Sequence, residues 1–326
     1  MDTSLNILIT AASRRVALIR AFGRALRRLG LGGNVITTDL NYLSPGLYFG
    51  DRHYIAPLTT DAGYIPLIKS ICARENIGLL IPTIDDELPI FGRHRNEFEK
   101  AGVRVAVSGE ETGRVCNDKH ASYLFFRERG IPFARTWLPK ELDRESLKYP
   151  LFLKPRGGRG GVGAFPIRNE RELDFFLEYV QDAVIQEFLT GTEYTIDVLA
   201  DFEGRVISVV PRERMVVRSG VSDRGRTFRH SGLTRLAVET AEALELRGAA
   251  NIQVKLDGDD AVIFEVNPRF SGGIPLTIAA GADFPAWLIE MCRGQSPAPR
   301  VGDFDDGLLM ACYEEALFMP SGTIGT

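Results

Sequence analysis

Glu265, Asn267 and Arg269 alternate along the run Ala261-Val-Ile-Phe-Glu-Val-Asn-Pro-Arg-Phe-Ser-Gly-Gly273, a pattern suited to chemistry on phosphate oxygens. Side chains two apart on a strand share a face, so Glu265 and Asn267 project together where Pro268 ends the strand. A carboxylate and an amide oxygen suit a hard cation such as Mg²⁺, which takes its other ligands from water and phosphate. A neighbouring guanidinium suits phosphate or carboxylate oxygens. A polar strand end leading into a glycine loop explains the same residues without any ligand. Upstream, Asn251-Ile-Gln253-Val-Lys255-Leu and the turn-rich Asp257-Gly-Asp-Asp260 predict a β-hairpin. A three-residue loop over 258–260 pairs Asp257 with Ala261, Gln253 with Glu265 and Asn251 with Asn267. A two-residue loop of Gly258 and Asp259 puts Gln253 opposite Phe264, on the wrong face, so the three-residue loop is expected.

The second constellation is Leu151-Phe-Leu-Lys154-Pro-Arg-Gly157-Gly158-Arg-Gly160-Gly161-Val-Gly163. Residues 158–163 satisfy G-x-G-x-x-G, but a dinucleotide fingerprint needs a helix to open at the glycines. Here residues 162–167 are β-prone, and a helix starts only after the Asn169 cap with its Glu172 partner. Strand, glycine loop, strand is a flap that lays backbone N–H groups over phosphates, with Lys154 as a point charge. NAD binding is therefore not expected, and no Walker Gly-Lys-Ser/Thr occurs.

Elements must position these groups, and 326 residues with 44% hydrophobic content are enough for two or three domains. Residues 5–12 read as a buried parallel strand, with Ser13 capping a helix whose stripe is Ile19, Phe22, Leu26 and Leu29. Residues 34–39 then complete a βαβ unit. Six arginines, 14, 15, 20, 24, 27 and 28, decorate that helix; they form a solvated face, or Arg14 and Arg15 meet an anion at its N-terminus. Asp85, Asp86 and Glu87 follow the strand at 78–83, where they either complement a helix dipole or border the crevice of an open α/β sheet and receive a substrate amine. Ser108 to Glu111 reads as a capping box, the first domain boundary falls near 112, and Asp118 starts a helix with Lys119 in its first turn. Residues 183–189 form a strand, 190–193 follow it, and a second strand runs through 196–199. The five arginines 212, 214, 218, 224 and 226 lie in a glycine-punctuated loop, read as a lid for an anionic substrate or as a segment without a role. Ser231 caps a helix to about 248, residues 283–294 form the last helix, and 308–318 a closing strand.

A net charge of −4 gives no basic field for nucleic acid or anionic lipid. The four cysteines form no CxxC pair and, with four histidines, make a zinc site unexpected; reduced thiols in a cytoplasmic protein are the expectation. No apolar run reaches membrane-spanning length, and the N-terminus lacks the pattern of a signal peptide.

In their order, these motifs over roughly residues 1–295 resemble the ATP-grasp superfamily, and Gln253 in place of an acid is most similar to the carbamoyl-phosphate synthase large subunit, within the carboxylate-amine ligase branch. The resemblance implies an α/β, Rossmann-like pre-ATP-grasp domain at 1–112, then a two-lobed α+β ATP-grasp fold. Its small lobe, 113–185, would carry the lysine strand and glycine loop, and 186–326 the metal hairpin. It further implies ATP phosphates on Lys119, Lys154, Gly157, Gly158, Gly160 and Gly161. Adenine would lie against Gln186, Glu187, Phe188 and Leu189, and ribose on Glu193. Mg²⁺, or Mn²⁺ in its place, would rest on Gln253, Glu265 and Asn267, with Arg269, Lys154 and Glu265 acting in transfer. The implied activity is phosphorylation of a carboxylate to an acyl phosphate that an amine or similar nucleophile attacks. A nucleotide-binding regulatory protein without efficient turnover is the alternative. Small-molecule carboxylates and amines are the implied partners, nucleic acid and membrane are not, and a homodimer is left open.

Overall fold

The computed structural model describes residues 4–158, 161–218 and 220–319. Its first layer is a five-stranded parallel sheet built from β1 (Asn6–Ile9), β2 (Val35–Asp39), β3 (Arg52–Ile55), β4 (Ile77–Ile81) and β5 (Arg104–Val105), in the order β3-β2-β1-β4-β5. Ile7, Leu8 and Ile9 are fully buried, as a parallel strand covered on both faces requires. The helices α1 (Val16–Arg28), α2 (Tyr64–Arg74) and α3 (Leu88–Lys100) alternate with these strands. The Ser13 cap is not observed. Ser13 lies at φ 43, its N–H donates to Asp39 Oδ2, and α1 opens on Arg15 with no side-chain cap.

Arg15 does not serve a solvated face. Its guanidinium donates to the carbonyls of Thr83, Phe270 and Ser271, joining the first sheet to the exit of the Glu265 strand. The acidic cluster divides. Glu87 is buried under the hydroxyls of Thr10 and Tyr64, whereas Asp85 accepts from Arg269. After α4 (Glu110–Asn117), α5 (Lys119–Glu128) is capped by Asp118 as expected. The Ser108 capping box is not formed: α4 starts after Gly109, and Ser108 Oγ accepts instead from the Arg247 N–H.

The second sheet is antiparallel, β6-β9-β7-β8, made of β6 (Thr136–Trp137), β7 (Leu151–Pro155), β8 (Phe165–Ile167) and β9 (Ala183–Glu187), with α6 (Glu170–Tyr179) packed on it through Leu173 and Phe176. Strand, glycine loop, strand is thus the observed order, and the helix follows the Asn169 cap. The third sheet runs β14-β13-β10-β11-β12-β15. It comprises β10 (Thr192–Ala200), β11 (Val206–Arg218), β12 (Val221–Thr227), β13 (Gly248–Asp257), β14 (Asp260–Asn267) and β15 (Leu309–Ala311), covered by α7 (Ser231–Ala243). The helices α8 (Ile274–Ala279) and α9 (Phe284–Cys292) return to the first sheet, where Phe22 meets Phe270 edge-on at 5.9 Å. No helix is expected from the sequence over 274–279.

Three further expectations change here. The arginine-rich stretch is a hairpin of β11 and β12, not a loop: Arg212 is fully buried and forks onto Asp197 at 2.7 and 3.1 Å. His230, not Ser231, caps α7, its Nδ1 accepting from the Leu233 N–H. The closing strand is only Leu309–Ala311. The metal hairpin turns on two residues, with Asp257 opposite Asp260, yet Gln253 faces Glu265 and Asn251 faces Asn267. A bulge at Phe264 takes up the extra residue and restores the register that the three-residue loop would have supplied.

Candidate functional site

Lys154 stands at the end of β7 with only 6% of its surface exposed, its Nζ 3.5 Å from the Phe264 carbonyl oxygen and 5.7 Å from the ring centre. The same bulge that sets the hairpin register therefore places a carbonyl and an aromatic face beside this ammonium. Burial lowers the lysine to about 8; Glu265 opposes that shift and Lys119 adds to it. Lys119, in the first turn of α5 and equally buried, donates to the carbonyls of Gly158, Gly157 and Arg156 at 3.2–3.5 Å. Burial pushes it below the ordinary lysine value, against the pull of Glu265 and Asp85. Among the described residues neither lysine has an ion-pair partner.

Both lysines line a cavity of ≈650 Å³ between the second and third sheets, together with Gly157, Gly158, Gly161, Gln186, Glu187, Phe188, Leu189, Glu193, Gln253 and Glu265. Gly158 and Gly161 sit at φ 89 and 70, a conformation that side-chain-bearing residues adopt at a cost. Gly160 lies outside the described residues. β9 ends at Glu187, so Phe188 and Leu189 leave the ladder at the cavity edge, and Gln186 is fixed by its Nε2 donating to Thr136 Oγ1 at 2.9 Å.

Glu265 makes no hydrogen bond or ion pair among the described residues and borders a second cavity of ≈130 Å³, shared with Lys119, Asn267, Asp85 and Asp86. Asn267 is buried there, its Oδ1 accepting from Arg269 Nη2 at 3.1 Å. Arg269 reaches across to Asp85 Oδ2 at 2.8 Å and lines neither cavity. Gln253 and Glu193 are not free either. Arg214 Nη1 donates to Glu193 Oε1 at 2.6 Å and to Gln253 Oε1 at 3.0 Å.

Arg214, with Val217 and Gly220 of the same hairpin, is what the sequence reading missed at this site. The basic, glycine-punctuated composition of 212–226 was the misleading signal, since it reads as loop although the two halves pair as strands. Phe264 was missed because a bulge leaves no signature in the pattern.

No group of three or more His, Cys, Asp or Glu side chains is placed to hold a metal among the described residues. A single carboxylate with amide oxygens nearby fits a hard cation that takes its remaining ligands from phosphate and water. Two buried, unpaired ammonium groups beside it fit a polyphosphate.

Residues 179–316 match the family described as ATP-grasp in the biosynthetic pathway with Ter operon, and residues 7–106 match the PylC-like N-terminal domain. The resemblance to the ATP-grasp superfamily is thus borne out over residues 179–316. The chain is 24% identical over 271 residues to the arginine-specific carbamoyl phosphate synthase large chain of Bacillus subtilis, covering 77% of itself and 25% of that protein. It is 26% identical over 277 residues to the large chain from Thermus thermophilus, covering 78% of itself and 26% of the relative. It thus spans about a quarter of the length of these curated relatives. The ATP-grasp fold is shared with Campylobacter jejuni biotin carboxylase in its β-γ-ATP complex, at TM-score 0.71, 18% identity and coverage of 89% of this chain and 71% of that one. The ADP complex of Staphylococcus aureus N5-carboxyaminoimidazole synthetase superposes at TM-score 0.72, with 16% identity and coverage of 92% and 80%.

Proposed function

We propose that this ATP-grasp protein is an ATP- and Mg²⁺-dependent ligase that phosphorylates a carboxylate and joins it to an amine or similar nucleophile. The observation that carries the reading is the pair Lys119 and Lys154, two buried cations with no ion-pair partner among the described residues, on the wall of a cavity that also holds the glycine flap. Burying a charge is costly unless it is paired, and a polyphosphate would supply the missing partner. Solved structures of similar fold hold nucleotides, as in the MgADP complex of a Hydrogenobacter thermophilus biotin carboxylase domain, which supports the same assignment.

In this reading residues 1–112 border the substrate crevice, 113–185 carry the lysine strand and flap, and 186–326 the metal hairpin. Lys119, Lys154 and the backbone of Gly157, Gly158, Gly160 and Gly161 hold phosphate oxygens. Gln186 to Leu189 meet the adenine edge, and Glu193 the ribose. A substrate carboxylate oxygen attacks the γ-phosphorus and the bond to ADP breaks. The amine then attacks the acyl carbon, phosphate leaves with the bonding electrons, and the nitrogen gives up a proton. Catalysis rests on positioning and charge neutralisation, with no protein nucleophile. Mg²⁺ would neutralise phosphate charge. Glu265 would be its main protein ligand; Gln253 and Asn267 already accept from arginines and each keep one lone pair. Arg269 steadies the transferring group from its anchor on Asp85. The partners are small molecules in the cytoplasm. Among the described residues no helix is long and apolar enough to cross a membrane, and all four cysteines are free.

Measuring ADP release across a panel of carboxylates and amines tests the reading. ADP formed only when an acid and an amine are both present is the expected result. Mg·ATP binding with no ADP from any pair would favour the regulatory alternative.

A further inference from the structure

Arg269 is held by three acceptors. Its Nη2 donates to Asp85 Oδ2 at 2.8 Å and to Asn267 Oδ1 at 3.1 Å, and its Nη1 to the Phe270 carbonyl at 3.1 Å. Three bonds from one planar group fix its plane as well as its place. Arg15 grips the chain at two of these anchors. Its Nη1 donates to that same Phe270 carbonyl and to the Ser271 carbonyl, each at 3.0 Å, so one oxygen joins the two guanidinium groups. Its Nη2 donates at 3.0 Å to the carbonyl of Thr83, two residues before Asp85. Asn117 and Asn251 hold the same stretches singly, donating to the carbonyls of Asp85 at 2.9 Å and of Arg269 at 3.0 Å. Arg15 ties one stretch to the other. All three of its acceptors are backbone oxygens, so its bonds set the course of the chain rather than neutralise an acid. A rigid fork suits carbonyls fanned around it, where a lysine ammonium, a point charge on a flexible stem, would not hold them in one plane. The turn between β1 and α1 delivers this side chain, with Ala11 at φ 48 and Ser13 at φ 43, a backbone that residues with side chains seldom adopt.

We propose that Arg15 is a positioning residue for phosphoryl transfer: from the first sheet it sets Asp85 and the Phe270 carbonyl where they aim Arg269 at the transferring group. This role rests on the one given to Arg269 above and deepens it, since it gives residues 1–112 a part in the transfer step beyond bordering the substrate crevice.

The test needs neither acid nor amine. Mg·ADP with aluminium fluoride imitates a phosphoryl group in transfer, and calorimetry on the full chain compares its affinity with that of Mg·ADP alone. The parent should gain at least roughly a hundredfold from the fluoride, as transition-state analogues do. Arg269→Met should lose most of that gain, Arg15→Met about tenfold of it, and the double variant no more than Arg269→Met alone. Arg15→Lys, which keeps the charge and loses the fork, should fall between Arg15→Met and the parent. Affinity for Mg·ADP alone should move little, because neither arginine lines the larger cavity. Losses that add, a full gain in Arg15→Met, or an equal fall in plain Mg·ADP affinity would make Arg15 a structural staple and overturn the proposal with the nucleotide reading intact. Loss of the fold in both Arg15 variants would do the same. No gain in the parent, or none lost in Arg269→Met, would remove Arg269 from the transfer step and the proposal with it.

Discussion

Two places in this molecule bury positive charge, and they do so in opposite ways. Under the third sheet, Arg212 is fully enclosed, forked onto Asp197, with Ser271 Oγ accepting from it and the Thr277 hydroxyl donating to the same carboxylate. At the cavity, Lys154 is nearly as deep yet, among the described residues, meets one carbonyl at 3.5 Å and the face of Phe264, and Lys119 meets only backbone oxygens. Burial alone does not separate structure from function; the state of the counter-ion does. A cation closed by its own carboxylate holds the fold, and one left open awaits a ligand.

The comparison can be broken from either side. Asp197→Ala leaves Arg212 an uncompensated buried charge and should cost about 3–5 kcal/mol in urea unfolding; a loss near that of a surface pair would erase the contrast. Glu265→Gln keeps shape and removes the carboxylate that faces both lysines. It should leave folding and Mg·ATP binding measurable but lower ADP-forming turnover by roughly two orders of magnitude. Steady-state kinetics within a few-fold of the parent would reduce the hairpin to scaffolding. The smallest effect is in pH. Unliganded Lys154 is held down to about 8 by burial, and a bound anion raises it, so the charged lysine favours binding. Affinity for Mg·ATP should be flat below about pH 8 and fade as pH rises through the higher, bound-state value. Between about 8 and the ordinary 10.5, binding should take up a proton, measurable by calorimetry in buffers of different ionisation enthalpy. No proton uptake there would detach Lys154 from the ligand.

Much of this was legible in the chain because periodicity and chemistry agree at those places. Lys154 before its glycines, Asp118 capping α5, and the pairing of Gln253 with Glu265 all follow from local pattern. The hairpin pairing came out as expected through a turn that was not, since a two-residue turn plus a bulge at Phe264 equals a three-residue loop in register. Ser13, Ser108 and Ser231 do not cap, each for its own reason: the Ser13 backbone is held at Asp39 by its N–H, Ser108 Oγ accepts from the distant Arg247 N–H, and at Ser231 a neighbouring imidazole caps the helix. Arg212 and Arg214 were read as part of a loop, a lid or a segment without a role, because the acids that internalise them, Asp197 and Glu193, lie on the adjacent strand, invisible to a local window.

The measurement closest to the central claim is Lys154→Met, assayed twice on one preparation. Removing an unpaired buried ammonium should leave the urea midpoint unchanged or higher, while Mg·ATP affinity in a calorimeter falls about tenfold or more, in line with the ~1.5–3 kcal/mol of hydrogen bonds to charged groups. Unchanged affinity with the fold intact would contradict the account, as would a loss of stability on the scale of Asp197→Ala.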